Sequence, residues 1–446
     1  MRVWQTSDAR LGASRHRRRH YVFLALAAVM LLLLGAGAFL APRWPRSASA
    51  NAQRYPVDDR QAFDRIERGR YLAVVADCAG CHTAPGGPPF AGGLALQTPF
   101  GTLVTPNITP DRETGIGSWT DEEFVAAMHE GRGRGGMRLY PAMPYPAYAK
   151  MTRDDVLSIL AYFKTIEPVH NAVTVNQLPF PFNIRLGMAF WNFLNFAPGP
   201  FQPDPQKSSE WNRGAYLVQG AGHCGTCHTP KTLLGGDQTG APLAGATLQD
   251  WFAPNITTDP RKGIGNWPLD EVVHYLKTGT NSWTLASGPM AEAVVHSTSL
   301  MTNEDLAAIA TYLKDSGVAV STSPPTSVSA NDAAIRAGAA IYKDNCAACH
   351  KDSGVGESAL FPSLSGSALV QSDDVTTLAR LILQGSRAVA TPDKPTAPAM
   401  PVFDWRLNDA QIAAVLTFIR NRWGNAAAPV AASTVARQRA LLARSP

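Results

Sequence analysis

The chain has 446 residues and a mass of 47.7 kDa, which is too long for one ordinary domain. Its hydrophobic fraction of 45% and charged fraction of 17% exclude a disordered chain and a polytopic membrane protein. The net charge of +5 comes from the N-terminus, because residues 1–50 contain eight arginines and one acidic residue, Asp8. The rest of the chain is slightly acidic, which argues against nucleic-acid binding.

An uncharged stretch from Tyr21 to Ala41 follows a group of arginines within residues 15–19. Its 21 residues are close to the length of about 20 that spans a bilayer. The positive flank would stay in the cytoplasm, so the rest of the chain would be exported. A cleaved signal peptide is the alternative, because Ala48-Ser49-Ala50 resembles a cleavage site. Residues 1–52 are therefore predicted to form a membrane anchor or signal segment, with the anchor favoured.

All six cysteines occur in C-x-x-C pairs that are followed directly by a histidine: CAGCH at 78–82, CGTCH at 224–228 and CAACH at 346–350. This is the attachment signature of c-type haem, in which both thiols form thioethers and the histidine binds iron. Disulfides or zinc sites are the alternative, but zinc needs four ligands per ion and nothing pairs one motif with another. We predict three covalently bound c-type haems. The thioethers would come from Cys78, Cys81, Cys224, Cys227, Cys346 and Cys349, and the axial ligands from His82, His228 and His350.

The body of the chain is an internal repeat of three copies. The first two share Arg-Gly-x-Tyr-Leu (68–72 and 213–217), Pro-Asn-Ile-Thr (106–109 and 254–257) and Gly-Ile-Gly-x-Trp (115–119 and 263–267). Each copy ends in a helix with apolar residues at i, i+3, i+4 and i+7, starting at Val156, Leu306 and Ile412. A glycine in the helix before each haem motif would let these two helices cross closely. These glycines are Gly69, Gly214 and Gly338.

The repeats predict an all-α fold with three domains at 53–200, 201–325 and 326–425, after the N-terminal segment at 1–52. A Ser/Pro-rich linker lies between the last two. Residues 426–446 are rich in alanine and are predicted to form a flexible tail. Residues 180–201 are rich in aromatic side chains and carry one charge, Arg185. This segment is either an inter-domain packing helix or a surface for a partner subunit or the membrane.

The second axial ligand decides what each haem can do. A methionine that occupies the second axial position of the iron raises the reduction potential of the haem and suits it to electron transfer. A vacant second position would instead allow substrate chemistry. Met400 is the only methionine after His350 and is predicted to be the third ligand. The second repeat offers Met290 and Met301, and the first offers four methionines: Met128, Met137, Met143 and Met151.

Met151 and Met301 occupy a position that the third copy fills with Leu407, which indicates a packing role. Met128 lies inside a predicted helix, where burial explains it. Met143 and Met290 lie at nearly the same sequence distance after their haem motifs, in proline-containing segments. They are the predicted ligands, with Met137 as the main rival of Met143.

Several longer segments resemble the triple-haem cytochrome c subunits of membrane-bound bacterial dehydrogenases, of the alcohol, gluconate, sorbitol or fructose type. They are CHTAPGG after the first motif, TPFGT at 98–102, YPAMPY at 140–145, FPFNIR at 180–185, EWNRGAYL at 210–217, GHCGTCHTP at 222–230 and GPMAE at 288–292. The resemblance extends over about residues 60–425. It implies class I cytochrome c-like domains in tandem and distal ligation by Met143, Met290 and Met400.

The resemblance also implies a location at the inner membrane with the body in the periplasm. The implied partners are a periplasmic dehydrogenase large subunit, a small third subunit, and ubiquinone or a terminal oxidase as the electron acceptor. No substrate catalysis is expected on this chain alone. A cytochrome subunit of a molybdenum hydroxylase or terminal oxidase complex is the alternative. A multihaem peroxidase would need an open distal site with acid–base groups, whereas this sequence supplies a methionine for every haem.

Overall fold

The computed structural model describes residues 59–174, 176–317, 327–358 and 360–444. The predicted anchor or signal segment at 1–52 lies outside these residues, and so does most of the Ser/Pro-rich linker. Within the described ranges, no helix has both the length and the apolar character that crossing a bilayer requires.

The first repeat consists of α1 (Asp59–Val75), α2 (Cys78–His82), β1 (Ala95–Thr98), β2 (Gly101–Val104), α3 (Asp121–Glu130), a short 3-10 turn (Arg134–Gly136), α4 (Tyr145–Tyr148) and α5 (Arg153–Phe163). A joining helix follows, α6 (Gly187–Asn195). The second repeat consists of α7 (Ser209–Gln219), α8 (Gly225–His228), β3 (Ala246–Leu248), β4 (Trp251–Ala253), α9 (Leu269–Thr278), α10 (Pro289–His296), a 3-10 turn (Thr298–Leu300) and α11 (Asn303–Leu313).

The third repeat begins with the same helix and haem-motif turn, but its strand pair comes later in the order and its C-terminal part is longer. It consists of α12 (Ala333–Asn345), α13 (Ala347–His350), α14 (Ala368–Gln371), α15 (Thr376–Gln384), β5 (Ser386–Arg387), β6 (Ala399–Met400), α16 (Asp409–Ile419) and α17 (Ala432–Leu442). One hydrophobic core is shared by the first two repeats. A separate core belongs to the third.

The all-α prediction is wrong, because each repeat contains a small antiparallel hairpin: β1 with β2, β3 with β4, and β5 with β6. Ala95 pairs with Val104, Ala246 with Ala253, and Ser386 with Met400. These strands have two to four residues, too few for alternation to reveal them in sequence. The fold is therefore a set of helical repeats with small sheets. The transmembrane helix that the same prediction included finds no counterpart among the described helices.

The predicted close crossing of the terminal helices is confirmed in all three repeats. A Cβ atom at Gly69 would lie 1.8 Å from the carbonyl oxygen of Ser158 in α5. The corresponding distances are 1.9 Å for Gly214 and Ala308, and 2.2 Å for Gly338 and Ala414. Only glycine allows the backbones to approach this closely. The three terminal helices also have capped N-termini, since the side chains of Thr152, Thr302 and Asn408 accept backbone N–H bonds.

The C-terminal segment differs from the flexible tail that the sequence predicted. Residues 432–442 form α17, which packs on α15 and α16 of the third repeat. Alanine, arginine and leucine are strong helix formers. Val435 is fully buried and Gln438, one turn further on, is 7% exposed, so a single narrow stripe suffices to dock the helix.

The joining helix α6 packs between the first two repeats. The Trp191 indole N–H donates to the Leu234 carbonyl oxygen over 2.7 Å, and the Tyr145 hydroxyl donates to Asn192 over 2.5 Å. The packing role proposed for residues 180–201 is therefore confirmed for this helix. Phe190 and Phe193 nevertheless remain exposed.

Candidate haem-attachment sites

Each C-x-x-C-H motif forms one short helical turn that ends at its histidine: α2, α8 and α13. The six cysteines form no disulfides. Burial is the main cause that raises the pKa of Cys81 and of Cys224, each to about 12, so these groups are neutral thiols. Structural zinc sites need thiolates. No three His, Cys, Asp or Glu side chains in the described part of the chain form a metal-binding group. The disulfide alternative therefore finds no paired cysteines, and the zinc alternative finds no ligand group within the described residues.

The three motif histidines have the same orientation. His82 Nδ1 lies 2.8 Å from the carbonyl oxygen of Pro106, and His228 Nδ1 lies 2.6 Å from that of Pro254. The third contact joins His350 Nδ1 to the carbonyl of Pro362 over 3.1 Å. A carbonyl oxygen can only accept, so Nδ1 carries the proton and the lone pair of Nε2 is left for a metal.

The charge state of these imidazoles also suits ligation. Burial lowers the pKa of His82, His228 and His350, and the bond to a proline carbonyl only partly opposes this effect. The neutral ring is therefore favoured, and neutral imidazole is the form that binds iron. Tautomer, orientation and charge thus all fit an axial haem ligand at the three motifs.

The shared Pro-Asn-Ile-Thr motif holds the accepting carbonyl in place. In the first repeat, Asn107 Oδ1 accepts bonds from the Thr109 amide and hydroxyl, over 2.9 and 2.8 Å. In the second, Asn255 Oδ1 accepts the same two bonds from Thr257, over 2.7 and 2.6 Å. Both turns fix the residue just before the asparagine, which is the proline that contacts the histidine. The motif therefore positions the histidine of the haem motif from a loop far along the chain.

A glycine after each motif contributes a second matched contact. The N–H groups of Gly92, Gly245 and Gly356 donate to the carbonyl oxygens of His82, His228 and His350, over 2.7, 2.7 and 3.1 Å respectively. All three glycines have positive φ. At Gly92 a Cβ atom would lie 2.4 Å from the Pro106 backbone. Glycine thus lets the loop reach both the histidine carbonyl and the proline turn.

The Pro-Asn-Ile-Thr motif marks the first two repeats in the sequence, but the repeat pattern alone indicates no role for it in the site. The signal was present, because the motif follows each histidine at nearly the same interval in the first two repeats. The third repeat reaches its proline by a much shorter loop, so the equivalent Pro362 could not be found by matching the motif.

Asp77 is a second residue that the sequence analysis missed. It stands directly before Cys78 with φ of 48°, and His223 stands directly before Cys224 with φ of 37°. Aspartate and histidine tolerate this left-handed conformation better than most residues. Burial raises the pKa of Asp77 to about 7. Its Oδ1 atom has no hydrogen-bond partner within the described residues.

The three predicted distal methionines lie on different kinds of element: a loop, a helix and a strand. Met143 is half-buried against the shared core, in the loop before α4. Met290 is the second residue of α10, after Pro289. Met400 lies in β6 and lines a cleft of about 680 Å³ with Trp251, Gly288 and Leu383. Their assignment as ligands stays a prediction.

The rival methionines occupy other environments. Met128, Met151 and Met301 are buried in the shared core, as expected for packing residues. Met137 is 46% exposed, next to the turn at 134–136. Burial of the first three in the core agrees with the packing role predicted for them, and Met137 stays the rival of Met143.

The cytochrome c family model matches residues 66–167 and 335–423. The chain is 41% identical over 404 residues to the gluconate 2-dehydrogenase cytochrome c subunit of Pantoea cypripedii, covering 85% of this chain and 90% of that protein. The chain belongs to the family of dehydrogenase cytochrome c subunits. It is also 38% identical to the fructose dehydrogenase cytochrome subunit of Gluconobacter japonicus, covering 92% and 88%. For the cytochrome c subunit of the quinone-dependent alcohol dehydrogenase of Gluconobacter oxydans, the identity is 37%, covering 84% and 82%.

The predicted family resemblance is therefore confirmed. A cytochrome c subunit carries covalently bound c-type haem and transfers electrons. The haem supplies the one-electron chemistry. The motif cysteines would hold the haems, and the proline carbonyl that accepts from Nδ1 of each motif histidine would leave Nε2 for the iron.

Proposed function

We propose that this chain holds three c-type haems and relays electrons away from a periplasmic dehydrogenase. The observation that carries the proposal is the threefold contact between a C-x-x-C-H histidine and a proline carbonyl, at His82, His228 and His350. Three independent loops bring a carbonyl to Nδ1, which is the arrangement that an axial imidazole ligand needs. Each haem would be closed by one methionine: Met143, Met290 and Met400.

With all three irons closed, the chain would conduct electrons rather than transform a substrate. The electron donor would be the catalytic subunit of an alcohol- or sugar-oxidising dehydrogenase, with a quinone or flavin cofactor. The acceptor would be ubiquinone or a terminal oxidase, and a small third subunit would complete the complex. The complex would lie at the periplasmic face of the inner membrane. Identities of 37–41% to cytochrome c subunits of three such dehydrogenases support this assignment.

The haem number is tested by intact mass and by the haem absorbance per chain. The native protein should carry three haems. Replacing both Cys346 and Cys349 with alanine should remove one haem and leave two. A native protein with two haems would contradict the assignment at the third motif, which lacks the Pro-Asn-Ile-Thr turn of the others.

The partner is tested by isolating the native protein from detergent-solubilised membranes and identifying what co-purifies. We expect a flavin- or quinone-dependent dehydrogenase large subunit in a fixed ratio to the chain. Addition of that enzyme's substrate should then reduce the haems of the complex. A molybdenum hydroxylase or oxidase subunits in place of such an enzyme would contradict the proposed partner while leaving the electron-transfer role in place.

A further inference from the structure

Two tyrosine–aspartate pairs cross between the first two repeats. The Tyr71 hydroxyl in α1 donates to Asp305 Oδ2 in α11 over 2.7 Å. In the opposite direction, the Tyr216 hydroxyl in α7 donates to Asp155 Oδ2 in α5. Each tyrosine lies in the Arg-Gly-x-Tyr-Leu motif of its own repeat and binds the terminal helix of the other. The first two repeats thus face each other through a pseudo-two-fold interface, in which the same contact is made twice.

Each tyrosine also caps the helix that it binds. The Tyr216 hydroxyl accepts a bond from the Thr152 amide over 3.0 Å, and the Tyr71 hydroxyl accepts one from the Thr302 amide over 3.3 Å. Thr152 and Thr302 are the N-caps of α5 and α11. One hydroxyl therefore satisfies an amide and a carboxylate of the opposite repeat, which fixes its position in two directions.

The two carboxylates at this interface are buried and bonded on both sides of it. Asp155 is 1% exposed and Asp305 is 8% exposed. Arg68 and Arg213, from the same motif, pair with them inside their own repeats, over 2.5 and 2.7 Å. A buried carboxylate that loses a donor is costly, because water cannot replace the bond. The crossed pairs therefore favour a single arrangement of the two repeats.

This interface continues to the first two haem motifs. The Ala76 carbonyl oxygen, two residues before Cys78, accepts the Tyr148 hydroxyl over 2.9 Å and lies 3.3 Å from His223 Nε2 of the second repeat. Helix α10, which carries Met290, contacts α2 of the first motif. The first two haem sites are therefore neighbours across the interface.

The third repeat lacks both members of the pair. Ala340 follows its crossing glycine by two residues, as Tyr71 and Tyr216 follow theirs. Gln411 lies three residues after its N-cap, where the first two repeats have the aspartates. It contacts the second repeat through other groups, such as the Thr377 hydroxyl, which donates to the Phe252 carbonyl oxygen over 3.1 Å. The crossed tyrosine–aspartate pairs thus join the first two repeats and have no equivalent in the third.

We infer that the Tyr71–Asp305 and Tyr216–Asp155 pairs position the first two haems at a fixed short separation, so that these two exchange electrons as a coupled unit. The inference rests on the proposed haem sites. Electron-transfer rates fall steeply with distance, so a rigid junction between two haem domains sets the rate of exchange. The four residues are positioning residues and take no part in the redox chemistry.

The test uses the full-length, haem-loaded protein with Tyr71→Phe, Tyr216→Phe and both together. Phenylalanine keeps the ring and removes only the crossed hydroxyl. Tyr342→Phe is the matched control, because the Tyr342 hydroxyl donates over 2.6 Å to Lys351 of its own repeat. The measurements are the magnetic coupling between the first two ferric irons and the mutual shift of their potentials in a spectroelectrochemical titration.

We expect the double variant to lose the magnetic coupling and the mutual shift of the first two haems, with partial and similar losses in the single variants. The Tyr342→Phe control should retain both. Unchanged coupling in the double variant, or in both single variants if the double variant does not mature, would overturn the inference. The haem count of the same samples tests the proposed function separately. A chain that carries haem only at the first two motifs would contradict the three-haem proposal. The comparison of magnetic coupling would still test the role of the tyrosine–aspartate pairs.

Discussion

Gly214 lies so close to Ala308 that a Cβ atom on the glycine would be 1.9 Å from the alanine's carbonyl oxygen. Helices α7 and α11 cross at this contact, and the same contact recurs in the other two repeats. The crossing brings the helix before each haem motif onto the helix that ends the repeat. It therefore links the attachment site to the core of its domain.

Gly214→Ala should lower the stability of the haem-loaded protein. In an open helix this change would add about 1 kcal/mol of stability. Here the methyl group must displace the α11 backbone, and overpacking of this kind costs about 1–3 kcal/mol. Gly240→Ala is the control, since no atom lies within 4 Å of a Cβ there. Thermal unfolding should show a lower midpoint for Gly214→Ala alone. A raised midpoint would show that the helices do not cross this closely in solution.

The haem motifs and the crossing helices could be predicted from sequence because their signals are local. The C-x-x-C-H pattern spans five residues, and the helical periodicity around Ile159 or Leu416 spans two turns. The contact of His82 with Pro106 could not be predicted, because it depends on how a loop of more than twenty residues folds back. The same holds for Tyr71 and Asp305, which lie in different repeats.

The prediction for the C-terminal segment failed for a different reason. Its low apolar content suggested a flexible tail, but one fully buried side chain, Val435, and polar contacts from Arg439 hold the helix. Composition measures average character and does not show whether a few residues find partners. The short hairpins failed similarly, since two paired residues such as Ser386 and Met400 leave no pattern.

Replacing the distal methionines tests the ligand assignment. Met143→Ala, Met290→Ala or Met400→Ala should each lower the potential of one haem, on the order of 0.1 V within the roughly 0.8 V range that axial ligands control. Each variant should also let that iron bind carbon monoxide. Met137→Ala, at an exposed position of the same loop, is the control for Met143→Ala. If Met137→Ala opens the first haem and Met143→Ala does not, the two roles are reversed.

The buried Asp305 should make stability depend on pH. Burial acts to raise the pKa of Asp305, but the hydrogen bonds from Arg213 and Tyr71 outweigh it, so the pKa lies below its ordinary value of 3.8. A carboxylate with a lowered folded-state pKa contributes stability above its unfolded pKa and loses it as pH falls through the folded value. Lowering the pH from 6 to below 3.8 should therefore reduce the free energy of unfolding more in the native protein than in Asp305→Asn.

The measurement is the unfolding midpoint of both proteins between pH 6 and pH 3. Protonation of the other acidic groups lowers the unfolding midpoint of both proteins equally. The difference between the two slopes of midpoint against pH therefore reports on Asp305. Asp352→Asn is the control, since Asp352 is exposed and pairs with Lys343 on the surface. Parallel curves for the native protein and Asp305→Asn would contradict the lowered pKa.

Arg439 in α17 should stabilise the loop that follows Met400. Its guanidinium donates to Asp409 over 2.8 Å and to the carbonyl oxygens of Asp404 and Leu407, each over 2.9 Å. Arg439→Ala should lower the free energy of unfolding of the third repeat by about 1–3 kcal/mol, because hydrogen bonds to charged groups contribute about 1.5–3 kcal/mol each and solvent screens this half-exposed site. Arg437→Ala, two residues earlier and exposed, should have no effect.

The effect of Arg439→Ala is measured by denaturant unfolding, followed at the haem absorbance. If Met400 is the ligand of the third haem, the loss of its ligation can be followed separately from the first two. Loss of the bonds to Asp404 and Leu407 would free the segment between β6 and α16, so methionine ligation at the third haem should fail at lower denaturant concentration than at the first two. Equal behaviour of Arg439→Ala and Arg437→Ala would mean that α17 docks through Val435 alone and leaves the Met400 loop unsupported.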